Sequence, residues 1–156
     1  MIEINNESGR DVDEERLQGL AIFALDQLNI HPQAELSILL VDVETMSAYH
    51  EKFMGEPGPT DVLSFPMDEL RIPNPGEEPA PGLLGDIVMA PEVTSAQAAE
   101  HNRTPEQEAD YLLIHGLLHL LGFDHAEPEE ASAMFGINDR IIAQWALVLD
   151  GQQGRK

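Results

Sequence analysis

The chain is predicted to fold as an α+β protein, a single layered domain with a small mixed sheet and about five helices. Three observations predict this. Short apolar segments of strand length recur along the chain, and longer segments carrying helix-start signals separate and follow them. A length of 156 residues with 42% apolar residues gives one compact domain with a real hydrophobic core, not a disordered chain. No internal repeat and no second domain is visible, and helices mixed with a few strands suggest a layered α+β arrangement.

Taken in order, Ile2 to Asn6 alternates apolar and polar residues and reads as a short strand. Asp11 or Asp13 can cap a helix running to about Leu28, with Leu17, Leu20, Ala24, Leu28 and more loosely Ile22 on its apolar side. His31-Pro32 marks a turn, because the residue before proline is pushed out of the α region. Leu36 to Val43 (LSILLVDV) is the strongest strand, and its near-continuous apolar character predicts burial on both faces. A helix from about Glu44 to Met54 follows and is broken by the Pro/Gly segment Gly55 to Pro59.

Val62 to Phe65 is a further short strand. Pro66 to Pro81 holds five of the eleven prolines and reads as a long exposed loop, with the whole Pro/Gly-rich stretch covering 66–84. Gly85 to Ala90 is a strand, and Pro91 opens a helix to about His101 at a first-turn position that tolerates a missing N–H. Thr104-Pro105-Glu106-Gln107 is a capping box with proline at N1, starting a helix that ends at Gly122, a residue suited to a left-handed cap. A last helix covers about Pro128 to Leu149, and 151–156 is expected to be a flexible tail.

Composition narrows the function classes. The chain has no cysteine, which excludes a disulfide framework and any thiolate metal site and leaves His, Asp and Glu as ligands. MIEINNESGR has no basic region followed by an apolar stretch, so no secretory signal is expected. The most apolar run, Tyr111 to Phe123, is 13 residues long, short of the ~20 a membrane span needs. A soluble cytoplasmic protein that makes no use of a membrane is expected. The 29 acidic residues against eight basic ones give a net charge of −21. Only Arg155 and Lys156 are adjacent basic residues, so no basic patch for nucleic acid is legible. The excess acid reads as a solubilising surface, or as a match to a basic partner or high salt.

The chemistry converges on HGLLHLLGFDH, residues 115–125. Residues four apart share a helix face about 5–6 Å apart at Cβ, so His115 and His119 can chelate one ion. Gly122 lets the chain leave the helix through a left-handed turn that can swing His125 back as a third ligand. Three imidazoles with an open fourth position are the pattern of a catalytic zinc, since a closed structural site needs four protein ligands. The pattern H-x3-H-x2-G-x2-H arises by chance in roughly one such chain in a thousand, so it outweighs the ordinary reading of a lone core histidine. His31 reads as a turn residue, and His50 and His101 as exposed helix positions. Imidazole ligands suit zinc and also nickel, copper and iron.

The spacing is that of the metzincin peptidases, with one departure. The glutamate that serves them as general base is Gly116 here, which disfavours an ordinary peptidase mechanism. Bound zinc can still lower the pKa of water to about 7 and polarise a phosphoryl oxygen.

HGLLHLLGFDH resembles the H-G-x-L-H-L-x-G-F/Y-D-H signature of the YbeY family of bacterial endoribonucleases and rRNA maturation factors. The resemblance extends to Pro59-Thr-Asp-Val-Leu-Ser-Phe-Pro66 and Leu84-Gly-Asp-Ile-Val-Met89, in the family's order and approximate spacing, and so spans most of the chain. It implies a zinc-dependent, single-strand-specific endoribonuclease acting in 16S rRNA 3′-end maturation and ribosome quality control. It also implies one zinc on His115, His119 and His125 in a metalloprotease-like core, with 16S rRNA precursor as substrate. One departure stands out: many members carry an arginine where this chain has Met54, and arginine donates two parallel hydrogen bonds to phosphate. Arg71 is the candidate to supply that charge, or the ribosome or a basic ribosomal protein delivers the RNA.

Four further residues have two readings each. Asp124 can orient the ligands or act as base, or simply cap nearby N–H groups. Asp61 and Ser64 can face the cleft and touch substrate, or end a sheet edge. Met134 can pack beneath the metal like the methionine of a Met-turn, or fill the core. Two rival functions remain open: a metal hydrolase acting on an amide or small molecule, and a non-enzymatic ribosome assembly factor whose zinc is structural.

Overall fold

The computed structural model describes residues 1–153. Four strands, β1 (Ile2–Asn6), β2 (Glu35–Leu40), β3 (Val62–Pro66) and β4 (Leu83–Met89), form one mixed sheet in the order β1-β2-β4-β3. β1, β2 and β4 run parallel, and β3 lies antiparallel to β4 at the sheet edge. A parallel pair needs a crossover, and α1 (Glu14–Gln27) supplies it between β1 and β2. The remaining helices are α2 (Val43–Met54), α3 (Pro91–Glu100), α4 (Pro105–Leu120) and α5 (Pro128–Gln153). The α+β class, small mixed sheet and five helices expected from the sequence are thus present. Among the described residues no helix is long and apolar enough to cross a membrane.

Register decides which side chains meet which helix. Ile4 stands beside Ile38, Ile38 beside Ile87, and Ile87 beside Ser64, so these share one sheet face. That face carries the main core, which includes Leu20, Ile38, Ile87, Leu113, Leu117 and Ile141 and joins the sheet to α1, α4 and α5. A smaller core of Val41, Met46, Leu63, Val88 and Ala90 fills the opposite face, where α2 brings Met46 and Tyr49. Gly85 is where the sheet closes most tightly. Its φ of 136° is one that L side chains rarely adopt, and a Cβ there would collide with the Phe65 carbonyl oxygen.

Several expectations are corrected. β2 stops at Leu40 instead of Val43, because Asp42 accepts the Thr45 N–H at 2.7 Å and makes Val43 the first helical residue of α2. β2 is not buried on both faces throughout: Leu36, Ile38 and Leu40 are buried, while Ser37 and Leu39 are half-buried. β4 begins at Leu83, so the Pro/Gly-rich stretch ends before residue 84. The hairpin continues past β3 through Met67 N–H to Leu84 O and Asp68 N–H to Leu83 O. That loop is also not wholly exposed, since Leu70 and Ile72 pack on the main core. His50 is mostly covered, with Nδ1 2.9 Å from Gly58 O and Nε2 3.3 Å from Glu56, and it pins the turn after α2. α5 continues to Gln153, and the rest of the expected tail, 154–156, lies outside the described residues. Met134 is fully buried in the main core.

Candidate metal centre and cleft

α4 is built to hold its histidines still. Thr104 accepts the Gln107 N–H at 3.1 Å while Gln107 accepts the Thr104 N–H at 2.9 Å, completing the capping box. At the other end Phe123 N–H reaches Leu118 O at 3.0 Å and Gly122 N–H reaches His119 O at 3.0 Å, the two bonds of a Schellman turn. Gly122 takes φ 94°, the left-handed value this turn requires. The chain reverses there and returns His125 toward the helix.

The result is a cluster in which one ligand nitrogen from each of His115, His119 and His125 lies within 4.8 Å of the others. The Nε2 atoms of His115 and His119 are 3.2 Å apart. Two nitrogens ~2.1 Å from a tetrahedral ion stand about 3.4 Å apart, so the pair already has chelating geometry. Burial first, and then His119 and His125, push the His115 imidazole down to about 4, with Asp61 pulling the other way. Burial and then His125 lower His119 as well. Both rings are therefore neutral at pH 7, with lone pairs free for a metal. His115 Nδ1 is buried with no hydrogen-bond partner in the protein, and His125 is exposed, leaving one side of the cluster open to the cleft. An all-imidazole donor set in this arrangement fits a borderline metal ion such as zinc.

The cleft, about 390 Å³, is lined by the three histidines together with Met54, Asp61 and the β3 strand. Asp61 is half-buried, and its Oδ1 accepts the Val62 N–H at 2.7 Å and the Thr60 hydroxyl at 3.3 Å. Ser64 lines the same wall, but its hydroxyl donates to Gly116 O at 2.8 Å and so ties β3 to α4. Asp124 accepts the His125 N–H at 2.7 Å, a bond within its own turn. Arg71 is not among the cleft-lining residues. Its guanidinium packs over Gly122 and donates to the carbonyls of Glu69 (3.1 Å) and Leu70 (3.3 Å).

Gly116 explains why the metzincin glutamate is missing. A Cβ there would stand 3.2 Å from Ile87 Cγ2, Ser64 Oγ and Val62 Cγ2, so β3 and β4 together occupy the space a side chain would need. Val62 and Ile87 are β-branched and stiff, which limits how far they can give. Gly116→Ala is accordingly expected to lose about 1 kcal/mol of stability, with crowding outweighing the gain in helix propensity. Denaturant titration checks this: the midpoint falls while the slope stays unchanged.

The profile of the endoribonuclease YbeY family matches residues 3–146. The chain belongs to the endoribonuclease YbeY family. A Cutibacterium acnes member named endoribonuclease YbeY is 70% identical over 145 residues, covering 93% of this chain and 94% of that one. A Thermobifida fusca member of the same name is 51% identical over 152 residues, covering 97% and 98%. A solution structure of a Thermotoga maritima protein superposes with a TM-score of 0.63 at 27% identity, over 94% of this chain and 92% of that one.

Two carboxylates on α4 are engaged in ways the motif does not announce. Glu108 is buried, 2.7 Å from His101 Nδ1 and 2.9 Å from Arg103, whose guanidinium lies 4.3 Å from the centre of the Tyr111 ring. His101 is exposed at the end of α3, as expected, and its ring is in addition tethered to this acid. Asp110 is buried 2.6 Å from Arg16 of α1. A signal is present in the sequence. Asp110 falls three and four residues before Leu113 and Ile114, on the core stripe, where an acid must find a partner.

Proposed function

We propose that this chain is a zinc-dependent endoribonuclease that cuts single-stranded RNA, acting in 16S rRNA 3′-end maturation and ribosome quality control in the cytoplasm. Family membership supports the ribonuclease assignment, and one observation carries the site: three imidazoles converge on a cleft with one side open. A closed structural site would call for a fourth protein ligand, so the open side favours catalysis over a purely structural ion. A zinc ion held by His115, His119 and His125 would supply Lewis acidity at a phosphoryl oxygen and a lowered pKa for water.

The chain's own residues provide the rest. Asp61 is the carboxylate that lines the cleft with the histidines, so it is the group we assign the general-base role that a glutamate on the helix plays in a metzincin. Its Oδ1 is fixed by the Val62 N–H, which orients the group. Ser64 acts by clamping β3 to Gly116, keeping this wall at its working distance from the histidines. Met54 presents an apolar surface where an arginine would offer charge, so this position contributes shape and excludes water. At −21 the chain as a whole repels RNA at long range, which favours delivery by the ribosome or a basic ribosomal protein.

The test is one RNA sequence offered as a single strand and as a blunt duplex to the zinc-loaded protein. An unpaired strand can bend a single phosphodiester into the cleft beside the histidines, whereas a duplex must first be opened to do so. The single strand is expected to be cut at least about tenfold faster. Equal cutting of both would contradict the cleft as the RNA site, and no cutting of either would overturn the ribonuclease reading.

A further inference from the structure

Single-stranded RNA offers a protein two handles, its phosphates and the faces of its bases. This chain is poorly equipped for the first, with eight basic residues against twenty-nine acidic ones and methionine at the cleft position where an arginine would bind phosphate. Its aromatic side chains are few, and among the described residues only Phe53 and Phe135 rank as exposed, at 50% and 38%. Phe135 stands beside two of the histidines, and Phe53 adjoins the cleft-lining Met54 at the end of α2.

Phe135, on α5, lies nearly parallel to the rings of His115 (centroids 6.4 Å apart, 15° between planes) and His125 (6.1 Å, 20°). Phe53, at the end of α2, immediately precedes the cleft-lining Met54. It is braced by Tyr49 in a stacked contact at 5.9 Å and by the edge of Phe65 at 5.1 Å. Lys52 Nζ lies over the Phe53 ring, 5.2 Å from its centre, and its flexible side chain must swing aside for a base to stack there, which frees its charge for the phosphate. An exposed ring held rigid by neighbours is costly to leave in water and inexpensive to cover, which suits a stacking surface.

We propose that Phe53, next to the cleft-lining Met54, and Phe135, beside the histidines, are nucleobase-stacking platforms flanking the cleft, holding the substrate strand by its bases more than by its phosphates. The proposal rests on the ribonuclease reading. It gives that reading a strand path: a base on Phe135 puts the adjoining phosphodiester beside the histidines, and a second base on Phe53 holds the strand across β3. Stacking tolerates any base, because every base has a π face, so sequence preference at these two positions is weak.

The experiment uses zinc-loaded full-length protein, with Phe53→Leu and Phe135→Leu keeping the apolar volume and Phe53→Trp and Phe135→Trp keeping the ring face. Each leucine variant is expected to raise KM for a single-stranded RNA about tenfold with kcat nearly unchanged, and each tryptophan variant to restore it. An abasic ribose walked along the substrate is expected to raise KM at two positions flanking the cut in the wild type. Phe135→Leu should lose one of those penalties and Phe53→Leu the other, a coupling that a merely structural role would not produce. Anisotropy of a fluorescent single strand is read in parallel, so the two ideas fail separately. Binding that weakens in the leucine variants supports stacking even in the absence of cutting. Unchanged binding, or abasic penalties that persist in the variants, overturns it. Loss of zinc or of melting temperature in the variants would assign the rings to supporting the fold and also overturn it. A KM that rises steeply with salt would show phosphate-dominated binding and would overturn it as well.

Discussion

His119→Ala is expected to leave a folded protein that no longer holds zinc at one equivalent. The residue supplies one of two Nε2 atoms standing 3.2 Å apart, and its removal leaves a single helical ligand and the exposed His125. Affinity should fall at least about a hundredfold, more than loss of an outer-shell partner costs. Melting temperature reads this out directly. At a thousandfold excess of zinc over its dissociation constant the wild type gains ~4 kcal/mol, about 10 °C for a chain of this size. The variant should gain little. Without metal its melting temperature should stay within a few degrees of wild type, because alanine is a good helix former and His119 is not a packed core residue. A variant that gains as much as the wild type from zinc would place the ion elsewhere.

Arg16→Met is the second large effect, and it acts on stability. Asp110 is 4% exposed and has Arg16 as its charged partner at 2.6 Å, so removing the arginine strands a buried carboxylate. Breaking such a pair from the more exposed side is expected to cost about 3 kcal/mol at neutral pH. The pH dependence has a definite sign. Burial already pushes the Asp110 carboxyl up, against the pull of the Arg16 hydrogen bond, and losing Arg16 pushes it further. A group whose folded pKa lies above its unfolded value favours the folded state more as pH falls through that range. The deficit of Arg16→Met should therefore be largest at neutral pH and shrink toward acid, as seen by urea titration at several pH values. A deficit that grows in acid would contradict this burial argument.

Much of the architecture is legible in the sequence because local signals agree with the final packing. The Thr104 capping box, proline at N1 of α3 and α4, and Gly122 at the end of the histidine helix each mark a boundary that the structure keeps within a residue or two. The approach of His115, His119 and His125 is equally readable, because a helical repeat and a Schellman turn are both local. What is not legible depends on neighbours distant in sequence or on signals that compete. LSILLVDV gives no sign that Asp42 will cap α2 and cut the strand short, since strand and cap compete over the same residues. Nor does Pro66 to Pro81 reveal that Leu70 and Ile72 reach the core, or that Arg71 settles on Gly122 away from the cleft. The absent glutamate at 116 is plain in the sequence, but its cause, β3 and β4 pressed against the helix, is purely tertiary.

The most direct measurement is cleavage of a single-stranded RNA by metal-depleted protein to which zinc is returned, with wild type and His119→Ala purified side by side. Cutting is predicted to begin in the wild type as zinc approaches one equivalent, and to stay at background in His119→Ala at every zinc concentration that the folded variant survives. Equal cutting by both proteins, or full cutting by the wild type before zinc is returned, would contradict a reaction carried out at these three histidines.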